Sequence, residues 1–385
     1  MIRVLHVIEN FNGQAVESWL TRLVTYEGFD SSRLHFDFFL LGEGPGRYAS
    51  AVLDQGCLVQ LGNPGGASIT QMARALRRQV QAGTYDIVHI HQDVLAGIFA
   101  LALVGTGVQI VTHVHNCWQR LPVGGQLKER ILTAIARQLT LKLSQAIVGV
   151  SNQALDKMTG GIRRKHRIDR VIYCSAKSQA TALSEAERVR VAAEVRHQYS
   201  LPSSSKLVVF LGRLDTYKNP VFALEVLREM VAQGNVNACL IIAGVGGLDG
   251  QLRELTVKSG LEERVRIIGW LEDPSPLLQS SDLLLMPSQE WCGEGLGLAA
   301  VEAQGCGLPV LCSTSIPADA EIIPSLFKRL SVRFGAAQWS VISGQMLARG
   351  RSDPMLCQKT LNASHFTVEA SYQNLQNLYA LLICS

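Results

Sequence analysis

Several patterns that would place the chain in a common structural class are missing from this sequence. Its nine cysteines form no CxxC pair and no zinc-type spacing, so we expect buried free thiols in a reducing cytoplasm. No stretch of about 18 uncharged apolar residues occurs, and the first apolar run is too short for a signal peptide, so we expect a soluble protein. No DxD triplet occurs either, and the sequence therefore contains no evident carboxylate site for magnesium.

Length and hydrophobic content predict two domains. The chain has 385 residues and is 47% hydrophobic, which is ample for two cores. Strand-like and helical runs alternate in both halves, a pattern typical of α/β proteins with doubly wound parallel sheets. A polar, alanine-rich stretch separates the halves, and its Ser184 and Glu187 form a capping-box pattern. We therefore predict an N-terminal domain at 1–180, a linker at 181–205 and a C-terminal domain at 206–365.

The predicted strands follow the apolar runs of the sequence. In the first domain they cover residues 2–8, 34–41, 57–61, 87–91, 109–113, 146–150 and 171–173. In the second they cover 207–211, 239–243, 265–268, 283–286 and 310–311. Ligands of such sheets bind beyond the carboxyl ends of the strands, so the loops there are the first place to look for a site.

Charge is unevenly distributed between the halves. Residues 1–180 hold 19 Lys and Arg against 12 Asp and Glu, a net +7, whereas the remainder holds 17 against 20, a net −3. Part of the excess lies in the amphipathic stretch 128–142, where Ile131 and Ile135 share a helical face with Leu139 and Leu143. This stretch fits contact with an anionic membrane, and it equally fits a helix packed on its own domain. No aromatic residues interleave with the charges, which argues against nucleic acid.

The stretch 287–309, PSQEWCGEGLGLAAVEAQGCGLP, carries the strongest functional signal. A hydrophobic strand leads into a glycine-rich loop, and a short helix follows whose N-terminus suits a phosphate group. Its two acids, Glu294 and Glu302, are eight residues apart, or about 12 Å along a continuous helix. Because glycosidase carboxylates lie roughly 5 to 9.5 Å apart, we interpret these two as holding opposite ends of an extended ligand.

This stretch resembles the signature of the retaining glycosyltransferases of family 4, in which two glutamates are separated by seven residues in a glycine-rich setting. The resemblance implies the two-domain GT-B fold, with Rossmann-like domains facing a cleft and a last helix, 366–385, that crosses back to the N-terminal domain. It implies that Glu302 binds the ribose hydroxyls of a nucleotide and that Glu294 binds the transferred sugar. It further implies contacts from the loop amides, which we assign to Gly295, Leu296, Gly297 and Leu298.

A second motif, GRLDTYKNP at 212–220, directly follows a predicted strand. Its Arg213 and Lys218 leave the strand end in a loop where paired positive charges would neutralise a diphosphate. The family has the same pattern, and the resemblance implies that these two residues bind the diphosphate of the donor.

Two further segments match the family near the nucleotide. The run IIAGVGG at 241–247 falls short of a dinucleotide-binding fingerprint, but in the family the equivalent turn borders the nucleotide, which points to Gly244. The dipeptide Gly269 and Trp270 resembles the segment beside the base.

Histidines end two consecutive predicted strands, with His89 and His91 on one and His113 and His115 on the next. The members of each pair are two residues apart and so share a face of the sheet. Two such pairs have the ligand chemistry of a metal site, but we expect buried, hydrogen-bonded histidines and assign no metal. The run HVHN resembles the HSHN of the exopolysaccharide-synthesis branch of the family, which implies that His115 contacts the donor sugar near the acceptor hydroxyl, with His113 as the alternative.

The resemblance as a whole implies a retaining, metal-independent hexosyltransferase of exopolysaccharide or capsular polysaccharide synthesis. It would move a sugar from a nucleotide-sugar, UDP-linked by our expectation, to a hydroxyl of a glycan or polyprenyl-linked glycan. We expect a cytoplasmic protein, peripheral at the inner face of the membrane, that needs no cofactor beyond the donor. Gln14 and Ala15 stand where the family shows two glycines. The alternative functions are a nucleotide-sugar epimerase of GT-B fold and a non-catalytic partner subunit.

Overall fold

The computed structural model describes residues 1–12, 15–62, 65–117, 126–165, 167–177, 183–234 and 237–384. The chain divides into two compact units, one formed by Met1–Ser175 with His365–Ser385 and the other by Ala176–Ser364. Residues 181 and 182 of the predicted linker and Gln14 lie outside the described residues. The rest of that linker belongs to the second unit, where most of it forms a helix, α7 (Glu185–Gln198).

The first unit is built on a seven-stranded parallel sheet with strand order β3-β2-β1-β4-β5-β6-β7. Its strands are β1 (Ile2–Ile8), β2 (Leu34–Leu40), β3 (Val59–Leu61), β4 (Ile87–Ile90), β5 (Gln109–Val114), β6 (Ala146–Gly149) and β7 (Ile168–Val171). Its helices are α1 (Ala15–Val24), α2 (Ala49–Leu53), α3 (Ile69–Ala82), α4 (Ala96–Ala102), α5 (Gln126–Leu143), α6 (Asn152–Thr159) and α14 (Val368–Cys384). The last strand ends two residues earlier than the sequence predicts.

Helices cover this sheet, and that coverage explains the near-continuous apolar strands. The strand order reverses between β1 and β4, which pair through Val4 with Ile87 and His6 with His89. Helix α14 returns to this unit, as predicted, and its buried Tyr379 reaches a histidine of β4. No helix among the described ranges is both long enough and apolar enough to cross a membrane.

The second unit contains a six-stranded parallel sheet with strand order β10-β9-β8-β11-β12-β13. Its strands are β8 (Lys206–Leu211), β9 (Ala238–Ala243), β10 (Val265–Gly269), β11 (Leu283–Met286), β12 (Val310–Cys312) and β13 (Phe327–Arg329). Besides α7, its helices are α8 (Pro220–Ala232), α9 (Asp249–Lys258), α10 (Ser275–Ser280), α11 (Leu298–Gly305), α12 (Gly335–Arg349) and α13 (Pro354–Asn362). The edge strand β13 was not predicted, because three residues with Lys and Arg among them carry no apolar run.

Local sequence signals place two helices of this unit. The predicted capping box of α7 is present, with the Glu187 carboxylate 2.9 Å from the Ser184 amide nitrogen and the Ser184 hydroxyl accepting the Glu187 N–H. Helix α12 is anchored by Trp339, which is fully buried in a core formed with Phe210, Leu240 and neighbouring apolar residues. The capping box therefore fixes the start of α7, and the burial of Trp339 fixes α12 against the core of the second unit.

Close approach of two backbone segments requires glycine at the end of β9. Gly244 has a φ of +150°, and its amide donates to the Gly269 carbonyl at 2.7 Å. A Cβ at this position would lie 1.8 Å from the carbonyl oxygen of Gly212, which no relaxation of a side chain can relieve. The glycines that end β8, β9 and β10 thus let these three strand ends lie against one another.

Gly244→Ala should therefore lower the free energy of unfolding by at least about 2 kcal/mol, since it adds a strained backbone conformation to an overlap with backbone atoms. Gly247→Ala is the matched control, because a Cβ at Gly247 meets nothing within 4 Å. Urea denaturation of both variants measures the difference. Equal stability of the two variants would contradict this account of the strand ends.

Candidate functional site

The second sheet reverses its strand order between β8 and β11, and the loops that leave these two strands carry the predicted site. Strands β8 and β11 are direct neighbours, pairing through Leu283 with Val208. In open parallel sheets this reversal opens a crevice at the carboxyl ends of the strands, where ligands bind. The loop after β8 carries Arg213 and Lys218, and the loop after β11 carries Glu294.

Lys218 and Glu294 form a close ion pair although they are 76 residues apart in sequence. The Lys218 Nζ atom lies 2.6 Å from Oε1 of Glu294, and the Ser288 hydroxyl donates to the same oxygen at 2.6 Å. The two charged side chains are 25% and 14% exposed, so the pair is largely removed from water. This arrangement brings together two of the predicted site residues.

The ionised form of Glu294 is stabilised by its partners. Burial of the carboxyl group favours the neutral form, but Lys218, Ser288 and Arg213 together outweigh it and hold the pKa of Glu294 below its usual value. Glu294 is therefore a carboxylate at neutral pH. A carboxylate stabilised in this way is a strong hydrogen-bond acceptor and a weak base.

Arg213 is more exposed than Lys218. Its guanidinium group lies 3.0 Å from Oδ2 of Asp215, and its side chain is 62% exposed. Asp215 also accepts the backbone N–H of Lys218 at 2.9 Å. One aspartate thus orients both cations, and a solvent-facing guanidinium suits recognition of an anionic ligand.

The β8 and β11 loops are tied together by Asn219. This residue adopts a left-handed conformation, with a φ of +58°, at the N-cap of α8, and Pro220 follows at the first helical position. Its side-chain amide donates to the Pro287 carbonyl at 3.2 Å, and the Gln289 amide donates to the Tyr217 carbonyl at 2.8 Å. These bonds fix Lys218 opposite the glycine-rich loop.

The glycine-rich loop ends at the N-terminus of α11, as the sequence predicts. Gly295 and Leu296 are buried, and Leu298 begins the helix. Gly297, the N-cap residue, has a φ of +87°, and a Cβ there would lie 3.1 Å from the Ile316 side chain. The first amides of α11 are thus presented beside Glu294 with no side chain at the N-cap to cover them.

Glu302 lies within α11 and is half-buried. Its Oε1 atom accepts the backbone N–H of Lys177 at 3.0 Å, and the Lys177 ammonium donates to the Glu272 carbonyl at 3.1 Å. Glu294 precedes the N-terminus of α11 and Glu302 lies within the helix. Gly244 and Gly269, predicted beside the nucleotide, end β9 and β10, and Trp270 after them is 41% exposed.

His115, the remaining predicted site residue, belongs to a buried cluster of five histidines in the first unit. The other members are His6 on β1, His89 on β4, His91 directly after β4 and His113 on β5, and Trp19 of α1 packs against three of the five. His6 Nδ1 lies 3.0 Å from His91 Nε2, and His91 Nδ1 lies 2.8 Å from His115 Nε2. Of the predicted histidines, His89, His91 and His113 are buried and His115 is half-buried. A hydrogen-bonded chain of three imidazoles, His6, His91 and His115, runs through the cluster, and His113 is not part of it.

The five histidines are uncharged at neutral pH. Burial lowers the pKa of His6 to about 3 and that of His115 to about 3. The pKa values of His89, His91 and His113 are also well below the usual range, first because of burial and then because each faces the other imidazoles. Neutral rings keep one lone pair each, which is the form that binds metals.

Sequence reasoning missed the partners that orient the predicted residues. Ser288, Asp215 and Lys177 contact predicted site residues, but an isolated serine, aspartate or backbone amide has no recognisable signature. His6 had a usable signal, since it occupies the strand next to β4 and pairs in register with His89. That register becomes known only when the structure shows that β1 pairs with β4.

Two domain models match the chain. The model described as Glycosyltransferase Family 4 matches residues 36–175, and the model described as Glycosyl transferases group 1 matches residues 191–340. The first match lies in the first unit and the second in the unit that holds Lys218 and Glu294.

Two proteins similar to this chain also carry glycosyltransferase names. EpsF of Bacillus subtilis (strain 168), assigned by name to the glycosyltransferases, is 27% identical over 384 residues, covering 99% of this chain and 95% of that protein. The UDP-Gal:alpha-D-GlcNAc-diphosphoundecaprenol alpha-1,3-galactosyltransferase of Escherichia coli is 31% identical over 115 residues, 29% of each chain.

Solved structures share the fold. HepE of Anabaena, crystallised in complex with UDP-glucose, superposes with a TM-score of 0.76 at 16% identity, covering 99% of this chain and all of that one. Two Rossmann-like units with parallel sheets and this similarity confirm the predicted GT-B fold.

Proposed function

Because the chain carries glycosyltransferase domains of group 1 and family 4, we propose that it is a retaining glycosyltransferase of surface polysaccharide synthesis. Its donor is a UDP-sugar and its acceptor a hydroxyl of a glycan or a polyprenyl-linked glycan. The observation that carries the proposal is the ion pair of Lys218 with Glu294 beside the N-terminus of α11, at the reversal point of the second sheet. Positive charge, a carboxylate and the helix amides at the carboxyl ends of two neighbouring strands support a binding site for a nucleotide-sugar.

The donor class is supported by the chemistry of the site and by the relatives. HepE binds UDP and UDP-glucose, and the E. coli relative is named for a UDP-galactose donor and a diphosphoundecaprenol-linked acceptor. EpsF, which matches nearly the whole chain, supports the glycosyltransferase activity, and the exopolysaccharide branch rests on the motif resemblance. In this chain the diphosphate binds Arg213, Lys218 and the amides of Gly297 and Leu298, since a helix N-terminus favours anions.

The remaining predicted residues bind the two ends of the donor. Glu302 accepts the ribose hydroxyls, and a carboxylate has several acceptor positions besides the one that Lys177 occupies. Gly244, Gly269 and Trp270 lie beside the base. Glu294 accepts hydroxyls of the sugar, and we assign a polar contact to the donor sugar to His115 on the ground of the family resemblance.

Transfer proceeds without a covalent enzyme intermediate. Glu294 is paired with Lys218 and has a lowered pKa, so it is a poor nucleophile and a poor base. The departing diphosphate takes the proton of the acceptor hydroxyl on the same face, and the configuration at the sugar carbon is retained. The protein orients the reactants and stabilises the charge of the leaving group.

Helix α5 supports the proposed docking on a membrane. Of the predicted apolar face, Ile131 and Ile135 are 52% and 51% exposed, and Leu127 one turn earlier is 72% exposed. The other half of that face packs on its own unit, since Leu139 and Leu143 are half-buried and Leu143 contacts the core. The buried residues of α5 are Ala136 and Thr140, and Lys128, Arg130 and Lys142 are exposed beside the apolar face. Exposed apolar residues flanked by lysine and arginine are typical of helices that lie in an anionic membrane surface.

Glu302→Gln should weaken UDP binding at least tenfold, because a charged hydrogen bond to the ribose contributes roughly 1.5 to 3 kcal/mol. The amide oxygen of glutamine can still accept the Lys177 N–H, so folding should be preserved. Titration calorimetry with UDP, with the exposed Glu263→Gln as control, measures the effect. UDP binding equal to wild type would remove the ribose role from Glu302.

Transfer should survive EDTA, whereas Lys218→Ala and Arg213→Ala should each reduce it by roughly a hundredfold or more, since they remove a partner of the leaving diphosphate. Transfer from UDP-sugars to extracted polyprenyl-linked glycan, followed by product chromatography, measures both effects. Arg213 is the safer test, because its exposed side chain contributes little to folding, and Lys258→Ala is the control. The proposal would be contradicted if EDTA abolished transfer and magnesium restored it. Turnover of the donor without acceptor would indicate an epimerase.

The full chain should bind vesicles containing anionic lipid and not neutral vesicles. Neutralising Lys128, Arg130 and Lys142 should weaken binding by about 3 kcal/mol, or roughly a hundredfold, since each charge near the surface contributes about 1 kcal/mol. Neutralising Arg228, Arg253 and Lys258 changes the net charge equally and serves as control. Sedimentation that does not distinguish the two lipid types, or the two triple variants, would rule out docking through α5.

A further inference from the structure

The histidine cluster contains buried nitrogen atoms that no described residue satisfies. His6 Nε2, His89 Nε2 and both ring nitrogens of His113 lack a hydrogen-bond partner within the described part of the chain, and all three residues are fully buried. Each such nitrogen forfeits the hydrogen bond that water would supply, which destabilises the folded chain. Apolar side chains would fill this part of the core without leaving nitrogen atoms unsatisfied. The five neutral imidazoles therefore indicate a role other than core packing.

We propose that, in the chain without donor, His91, His113 and His115 bind a zinc ion, and that zinc competes there with the contact to the donor sugar assigned above to His115. The structure brings one ring nitrogen from each of the three to within 4.8 Å of the others. Three histidines that leave one position open to water are a known zinc arrangement. Imidazole ligands favour zinc and its neighbours among the late transition metals over magnesium, which prefers oxygen.

The hydrogen bonds around these rings select the protonation state that zinc needs. His91 Nδ1 and His115 Nε2 lie 2.8 Å apart, so one proton lies between them, and when both nitrogens bind the ion that proton moves to the other nitrogen of its ring. His91 then carries its proton on Nε2 and donates to His6 Nδ1 at 3.0 Å. His115 carries its proton on Nδ1, which faces the Cys174 sulfur at 3.9 Å. Outer partners of this kind fix the tautomer and orientation of metal-binding histidines.

His113 completes the set. Both of its ring nitrogens lack a hydrogen-bond partner within the described part of the chain, so either one can serve the ion. His6 is accordingly a positioning residue in this site, and its hydrogen bond to His91 explains why a histidine lies so deep in β1.

A second group of three, His6, His89 and His91, also brings its ring nitrogens within 4.8 Å of one another. His6 and His89 are fully buried, so an ion there would lose all its water and gain only three ligands. His115, by contrast, is half-buried at the carboxyl end of β5, where an ion can enter and keep a water molecule. The group containing His115 is therefore the better site.

Equilibrium dialysis of the full chain against buffered Zn²⁺, without donor or acceptor, tests the site independently of any transfer activity. We expect one zinc ion per chain, no competition from Mg²⁺, and a thermal unfolding midpoint that rises with Zn²⁺ concentration. Bound Co²⁺ should give the visible absorption of a low-coordinate nitrogen site. A chain that binds no zinc at micromolar concentration would overturn the proposal.

Single variants identify the ligands. His115→Gln and His91→Gln should each weaken zinc binding at least tenfold, whereas His89→Gln and the exposed His197→Gln should leave it unchanged. Urea unfolding in EDTA verifies that each variant is folded, and half-buried His115 is the substitution that folding tolerates best. Loss of binding in His89→Gln with retention in His115→Gln would overturn the assignment in favour of the deeper group.

Discussion

Parallel pairing of the strands is the constraint on which both functional regions depend. Every strand pair in the two described sheets is parallel, so all carboxyl ends of a sheet lie along one edge. The strand order reverses once in each sheet, between β1 and β4 in the first unit and between β8 and β11 in the second. The histidine cluster occupies the first reversal and the Lys218–Glu294 pair the second. Residues far apart in sequence meet there because the topology leaves a crevice.

The two regions solve opposite electrostatic problems. In the second unit Glu294 keeps its charge, because Lys218 and the Ser288 hydroxyl compensate for lost water. In the first unit the imidazoles give up their charge, since burial and mutual repulsion outweigh protonation. A charged pair suits an anionic donor, and a neutral nitrogen cluster suits a cation. The ligand charge that each site favours thus follows from how the site compensates for the water lost on burial.

Backbone geometry limits the second site as strongly as charge does. Gly244 lies so close to the Gly212 carbonyl that any side chain would separate the ends of β8 and β9. Gly297 adopts a left-handed conformation at the start of α11 and keeps the first helix amides uncovered. A ligand can therefore approach main-chain donors directly. Side chains such as Arg213 contribute charge at the margin of this surface, where water and ligand reach them.

The sequence by itself determined the strands, most helices and the parallel α/β class, because apolar runs and capping residues act over a few neighbours. It also singled out Lys218, Glu294 and Glu302, since glycine-rich loops and charged residues at strand ends have local signatures. The 2.6 Å ion pair, the roles of Ser288, Asp215 and Lys177, and the five-histidine cluster were decided only by tertiary structure. Each joins atoms from separate strands or loops, and strand order, which sets those distances, is a property of long-range packing that no short stretch of sequence encodes.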